Sequence, residues 1–178
     1  MKYKILTHVC CAPCLICTEP FVSEFELSCF WYNPNIHPFS EYKSRLDCLS
    51  DYAFENNIRL ITEDFYGLMD FIGLNPDERC AYCYDIRLEE TAKRAKINGF
   101  NMFSTTLLCS PYQNREKIKE TGEKYSRKYG VEFFPGDFRG NFREGQKRAK
   151  EKSLYMQKYC GCIFSEYDRY KAEYKNQK

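Results

Sequence analysis

Three thiols stand within five residues in the stretch His8-Val9-Cys10-Cys11-Ala12-Pro13-Cys14. Adjacent cysteines do not readily bridge each other, because their Cα atoms are only about 3.8 Å apart and a normal disulfide spans more. Side by side, with a third close by, they are better suited to hold a metal. A lone cysteine is an ordinary small apolar core residue, but that does not account for three in one turn. Cys80-Ala81-Tyr82-Cys83 adds a CxxC half-site, whose spacer lets both thiolates face one ion or one iron–sulfur cluster. Cys160-Gly161-Cys162 adds a third group. Together these seven cysteines exceed the four that a tetrahedral zinc site or one [4Fe–4S] cluster takes. Three are left for a second metal or a redox dithiol. A structural four-cysteine zinc site is the competing reading, and it gives Cys14, Cys160 and Cys162 no role. Cys17, Cys29, Cys48 and Cys109 lack such grouping, and core packing is expected for them.

Such groups need elements that bring them together. The chain reads as strands at 3–7, 27–32, 59–62, 101–105 and 131–134, alternating with helices at 15–25, 40–53, 80–98, 113–129 and 144–157. Ser40 is the expected N-cap of the second helix, and Tyr42, Leu46, Leu49 and Ala53 form its buried stripe. Residues 64–72 read as a short helix or irregular segment, and 165–178 as a polar tail, helical and frayed. Alternation of this kind predicts one α/β domain with a mostly parallel sheet covered by helices. Each cysteine group then falls at the carboxyl end of the strands, where such sheets bind ligands.

The 178 residues suffice for one domain with a sizeable core, and 43% hydrophobic composition argues for a globular chain. A net charge of +2 neither favours nor excludes nucleic acid. No stretch approaches a membrane span, and the N-terminal apolar run is too short for a signal peptide. A cytoplasmic location is expected, where clustered cysteines suggest metal or redox chemistry. The first turn contains no glycine to let backbone N–H groups approach a phosphate, which disfavours ATP activation there.

His8 abuts the cysteine turn, either toward a cluster or as a satisfied strand-end residue. His37, between Ile36 and Pro38, either lines a pocket mouth or fixes its loop. Asp137 and Arg139 follow the fifth strand and are expected at the same rim, with a salt bridge as the plainer alternative. Basic residues concentrate in 115–128 and, with fewer acidic interruptions, at Arg139, Arg143, Lys147, Arg148, Lys150 and Lys152. A solvated helix face is the ordinary explanation. The second segment is the better candidate for phosphate-backbone contact.

The three cysteine groups, with Trp31-Tyr32-Asn33-Pro34-Asn35-Ile36-His37-Pro38, Thr105-Thr106-Leu107, Ser110-Pro111-Tyr112-Gln113 and Asp137-Phe138-Arg139, resemble the cobalamin-independent epoxyqueuosine reductase family. The resemblance implies a Rossmann-like fold of the adenine-nucleotide-hydrolase (HUP-like) type. It also implies reduction of epoxyqueuosine to queuosine at the tRNA wobble position, with a [4Fe–4S] cluster and a nearby mononuclear iron. Position by position, Cys10, Cys11, Cys80, Cys83, Cys160 and Cys162 match the family's metal-binding cysteines. Cys14 stands where some relatives are expected to carry aspartate. The expected partition puts Cys10, Cys11, Cys80 and Cys83 on the cluster, and Cys14, Cys160 and Cys162 on the second metal. Deoxygenation of an epoxide needs two electrons and two protons. Tyr112, His37 and Asp137 are the candidate proton donors, and Tyr32, Trp31 and Tyr112 candidates to stack on the modified base. Tyr32, Arg139, Arg143, Lys147 and Lys150 are the expected substrate contacts. The implied partners are a tRNA anticodon stem-loop and an electron donor of unassigned identity, with no membrane and a monomeric chain. A cluster-dependent tRNA sulfur transferase and a non-enzymatic zinc module are the alternatives.

Overall fold

The computed structural model describes residues 3–175. Five strands, β1 (Lys4–His8), β2 (Glu26–Trp31), β3 (Arg59–Thr62), β4 (Met102–Thr105) and β5 (Glu132–Phe133), form one sheet in the order β3-β2-β1-β4-β5. Every pairing is parallel. Parallel pairing requires crossovers, and helices supply them on both faces. On one face lie α4 (Arg79–Ile97) and α5 (Arg115–Tyr129), which bury Leu88, Ala92, Ile118 and Tyr125 against Leu6, Phe30 and Phe103. On the other lie α1 (Ala12–Val22), α2 (Phe39–Glu55) and α6 (Phe142–Glu151), whose Leu15, Ile16, Tyr42, Leu49 and Ala149 meet Val9, Cys29 and Trp31. Alternate residues of β2 thus serve opposite faces, as the strand period demands. Two short helices complete the chain, α3 (Leu68–Ile72) and α7 (Ile163–Lys175).

Strand order reverses direction between β1 and β4, and a crevice opens there beyond the strand ends. The cysteine turn leaves β1 at this point, facing the 3₁₀ turn Thr106–Cys109 that leaves β4.

Three local expectations are corrected. The first helix begins at Ala12, with Pro13 in its opening turn, so Cys14 is helical rather than part of the loop. Ser40 is not a cap: α2 starts at Phe39 after Pro38 and uses no side-chain cap. The helix expected over 144–157 ends at Glu151, after which Ser153 adopts φ 55 and the chain turns back. That reversal brings residues 157–160 to the crevice. The tail is helical from Ile163 to Lys175, and 176–178 lie outside the described residues.

Candidate metal centre

Cys10 and Cys11 end the β1 turn, and Cys14 follows on the first turn of α1. Their three Sγ atoms lie within 4.8 Å of one another, all buried. The Cys10 and Cys11 sulfurs are 3.9 Å apart. Two thiolates at about 2.3 Å from one tetrahedral ion would be separated by about 3.8 Å, so the pair suits a metal. The Thr106 side chain anchors the turn, accepting from Cys10 N–H at 3.2 Å with its Oγ1 also 3.4 Å from Cys10 Sγ. Hydrogen bonds from the Cys11 and Cys14 thiols hold Cys10 well below the ordinary thiol range. Cys11 is pushed up, mainly by burial. Cys14 is pushed up mainly by the bond to Cys10.

The CxxC pair opens α4, with Cys80 exposed and Cys83 buried. Cys83 shares a small apolar cluster with Phe71 and Cys162. Burial pushes its thiol up to about 12, against the pull of Arg87. The wholly buried Arg87 guanidinium donates from Nε to the Cys83 carbonyl at 3.0 Å and from Nη2 to Cys83 Sγ at 2.7 Å. Its charge also acts on Cys160 and Cys10. A buried cation among sulfurs offsets the negative charge that metal-bound thiolates accumulate.

The Cys160–Cys162 loop is held from two sides. Buried Arg45 donates from Nε to Glu41 Oε1 at 2.7 Å, and from its other nitrogens to the carbonyls of Cys160 (2.9 Å) and Tyr159 (3.0 Å). His37 supplies the other side. Its N–H reaches the Gly161 carbonyl at 2.7 Å, its carbonyl accepts from the Tyr159 hydroxyl, and its Nδ1 accepts from Ile163 N–H. Gly161 sits at φ +146, where an added Cβ would come 3.2 Å from Ile36 Cγ1. Gly161→Ala is therefore expected to cost about 1–3 kcal/mol. Thermal unfolding and bound iron, measured together, should both fall.

Cys10, Cys14 and Cys160 line one cleft of about 260 Å³, together with Arg87, Tyr112, Gln113, Gln146, Gln157 and Lys158. Tyr112 is 86% exposed, its ring edge-on to Phe142 at 6.4 Å. Gln113 Nε2 donates to Cys160 Sγ at 3.2 Å, and its Oε1 accepts from the Tyr84 hydroxyl. Thiols from two of the three cysteine groups therefore line a cleft at the switch point that opens to solvent on one side, and Arg87 links the third group to it through Cys83. The soft thiol donor set with its buried countercharge fits an iron–sulfur centre.

Other predicted residues are not brought to the cleft. His8 is buried and satisfied: Asn33 Nδ2 donates to Val9 O, which turns Asn33 Oδ1 toward His8 Nε2 at 3.1 Å, and Thr105 Oγ1 meets Nδ1 at 3.0 Å. Burial, with Arg87 nearby, lowers His8 to about 3. His37 is equally spoken for. Nδ1 is an acceptor, so Nε2 carries the hydrogen and gives it to Pro34 O at 3.1 Å. Burial lowers it to about 4, and both ring nitrogens are spent on contacts that hold the loop. Asp137 is an exposed carboxylate held at about 2 by Arg139, which donates to it from Nε and Nη2. It is ionised at neutral pH and has no proton to give. Arg139 is thereby committed to Asp137, the plainer of the two readings. Trp31 is core, donating to the Tyr42 hydroxyl at 3.0 Å. Tyr32 lies between Phe30 and Phe65 in a nearly parallel stack, and its hydroxyl is raised by burial and by Glu90, Asp70 and Glu63.

Arg45, Arg87, Gln157 and Lys158 escaped the sequence reading. Arg45 interrupts the apolar stripe Tyr42–Leu49–Tyr52, and Arg87 follows Cys83 by one helical turn. A charge on an otherwise buried face was the available signal. Gln157 and Lys158 had none.

A parallel α/β sheet with its site at this reversal is a HUP-like, Rossmann-type architecture. The fold is similar to that of the U34-tRNA thiolase NcsA from Methanococcus maripaludis, determined with its [4Fe-4S] cluster. The TM-score is 0.61 at 15% identity, over 92% of this chain and 61% of that protein's length. Within that class the chain belongs to the epoxyqueuosine reductase QueH family, whose profile matches residues 5–168. It is 38% identical over 175 residues to epoxyqueuosine reductase QueH of Dehalococcoides mccartyi, covering 96% of each chain. It is 40% identical over 177 residues to that of Thermotoga maritima, covering 93% of this chain and 91% of the relative. The protein is an enzyme, an oxidoreductase of tRNA modification. Among the described residues no helix is long and apolar enough to cross a membrane.

Proposed function

We propose that the chain removes the epoxide oxygen of epoxyqueuosine at the tRNA wobble position, using a [4Fe–4S] cluster and an adjacent mononuclear iron. Three cysteine groups carry this reading: Cys10, Cys14 and Cys160 line one cleft, and Cys83 is tied to it through Arg87. The family assignment supplies the substrate. Cys10, Cys11, Cys80 and Cys83 hold the cluster, and Cys160 and Cys162 hold the second iron. Cys14 belongs at the junction. The sequence expectation puts it with Cys160 and Cys162, but its sulfur lies within 4.8 Å of those of Cys10 and Cys11, which favours a place beside them, facing Cys160 across the cleft. When bound, the cluster would relay electrons one at a time from the external donor, and the second iron would supply a Lewis acid for the epoxide oxygen.

The chain's own residues do the rest. Arg87 balances thiolate charge, Arg45 and His37 hold the Cys160 loop, and Gln113 orients the Cys160 sulfur. Tyr112 is the proton donor, since it lines the cleft, whereas neither ring nitrogen of His37 is free. The direct test is anaerobic turnover of an anticodon stem-loop bearing epoxyqueuosine, with dithionite as the electron source, read by mass spectrometry. Loss of one oxygen is expected, and an unchanged mass would refute the assignment. Incorporation of sulfur would instead favour the transferase reading.

The same reading places the anticodon loop along α6. Phe142 and Gln146 of that helix line the cleft, and Arg143, Lys147 and Lys150 are exposed on the neighbouring face. Lys147 pairs only loosely with Glu151 at 3.9 Å, so it remains available to phosphate. Replacing Lys147 and Lys150 with Ala is expected to weaken binding and flatten its salt dependence by about 0.7 per lost contact. Iron content should not change. Binding isotherms at several salt concentrations check this, and an unchanged slope would move the docking face to α5. The electron donor is a separate partner, and the chain acts in the cytoplasm as a monomer.

A further inference from the structure

Gln157 lines the cleft and carries a buried polar atom that nothing among the described residues satisfies. Gln157 lies in the segment that returns the chain from α6 to Cys160, and its Oε1 is buried without a partner. The other unsatisfied side-chain atoms among the described residues belong to Thr7, Asn35, Arg94 and Arg115, none of which lines the cleft. The Gln157 Nε2 stands 3.9 Å from Cys14 Sγ. A metal-bound thiolate accepts hydrogen bonds and donates none, so the nitrogen end of the amide belongs on the sulfur side. Oε1 is the free end. Leaving a buried acceptor unpaired costs stability, and such an atom calls for a specific explanation.

We propose that Gln157 Oε1 accepts a hydrogen bond from the cyclopentane substituent of the modified base and so distinguishes the epoxyqueuosine nucleotide from guanosine. This rests on the substrate assignment above. The substituent carries two kinds of polar group. Its epoxide oxygen only accepts, whereas its ring hydroxyls and linking amine donate. A carbonyl acceptor therefore binds the donors and leaves the reacting oxygen free. Seated beside Cys14, in a cleft that Cys10 and Cys160 also line, Gln157 would hold the ring at the edge of the metal ligands. A site that reserves a buried acceptor for a substrate donor rejects an analogue lacking that donor, because the acceptor then stays unpaired. Guanosine has no substituent to offer.

Gln157→Met keeps the side-chain length and removes both polar ends. The iron-loaded wild-type and variant proteins would be titrated with two anticodon stem-loops, one bearing epoxyqueuosine and the other guanosine at the wobble position. The variant is expected to lose roughly tenfold in affinity for the modified stem-loop. Its affinity for the guanosine stem-loop, and its iron and sulfide, should match wild type. A retained preference for the modified stem-loop overturns the proposal. So does equal weakening toward both ligands, which is general surface damage, or loss of iron, which would make Gln157 a support for Cys14 alone. Absence of any preference in the wild-type protein would overturn the substrate assignment and this inference with it.

Discussion

Cys83→Ala is expected to abolish bound iron, acid-labile sulfide and the broad visible absorption of the cluster. The side chain is buried where the CxxC turn faces the other cysteine groups, and water cannot substitute for it there. The same substitution strips Arg87 of its Nη2 partner and leaves that guanidinium, 1% exposed, with the Cys83 carbonyl alone. Uncovering a buried charge costs about 3–5 kcal/mol, so the variant should also unfold earlier. The two effects are separable. In Cys83→Ala/Arg87→Met the unpaired charge leaves with the thiol, and stability should largely return without the iron. Circular dichroism melts and iron and sulfide assays on both variants are the measurement. Normal iron and sulfide in either folded variant would remove Cys83 from the ligand set.

The second large effect is expected at Cys162. Its thiol is buried beside Phe71 and Cys83, while its backbone belongs to the loop that Arg45 and His37 hold. Cys162→Ala removes one sulfur from a loop whose hydrogen-bonded anchors do not use the Cys162 thiol, so the fold should survive with a stability loss of about 1 kcal/mol. The variant should keep its sulfide and most of its visible absorption, lose the second iron, and lose turnover by at least about a hundredfold. Iron-to-sulfide stoichiometry and single-turnover assays distinguish the outcomes. Loss of sulfide along with iron would assign Cys162 to the cluster and reverse the partition. Retained turnover would place the loop outside the chemistry.

Much of this architecture is written in local pattern. The runs at 5–7 and 102–105 are short and rich in apolar and β-branched residues. The stripes of α2 and α4 repeat at helical spacing. Gly130, at φ 65, stops α5 where the sequence says it should. A chain that alternates such runs with helices must build a parallel sheet, and a parallel sheet sends every strand's exit turn to the same edge. That is why cysteines spread from position 10 to position 162 could be expected to meet, and why residue spacing alone pointed to a metal.

What only the tertiary structure decided is which polar groups are used up before they reach that site. His37 and Asp137 have the right chemistry for proton transfer on paper. One spends both ring nitrogens on Pro34 and Ile163, and the other is locked to Arg139. Tyr32 belongs to an aromatic stack in acidic surroundings, and Cys14 sits on a helix against Cys10 and Cys11. Arg45, Arg87 and Gln157 gain their roles from partners far along the chain or from having none. Helix and strand periods are set by neighbours a few residues away, so sequence determines them. Hydrogen-bond partnership and desolvation are set by whatever side chains folding brings within about 3 Å, and no spacing along the chain encodes that.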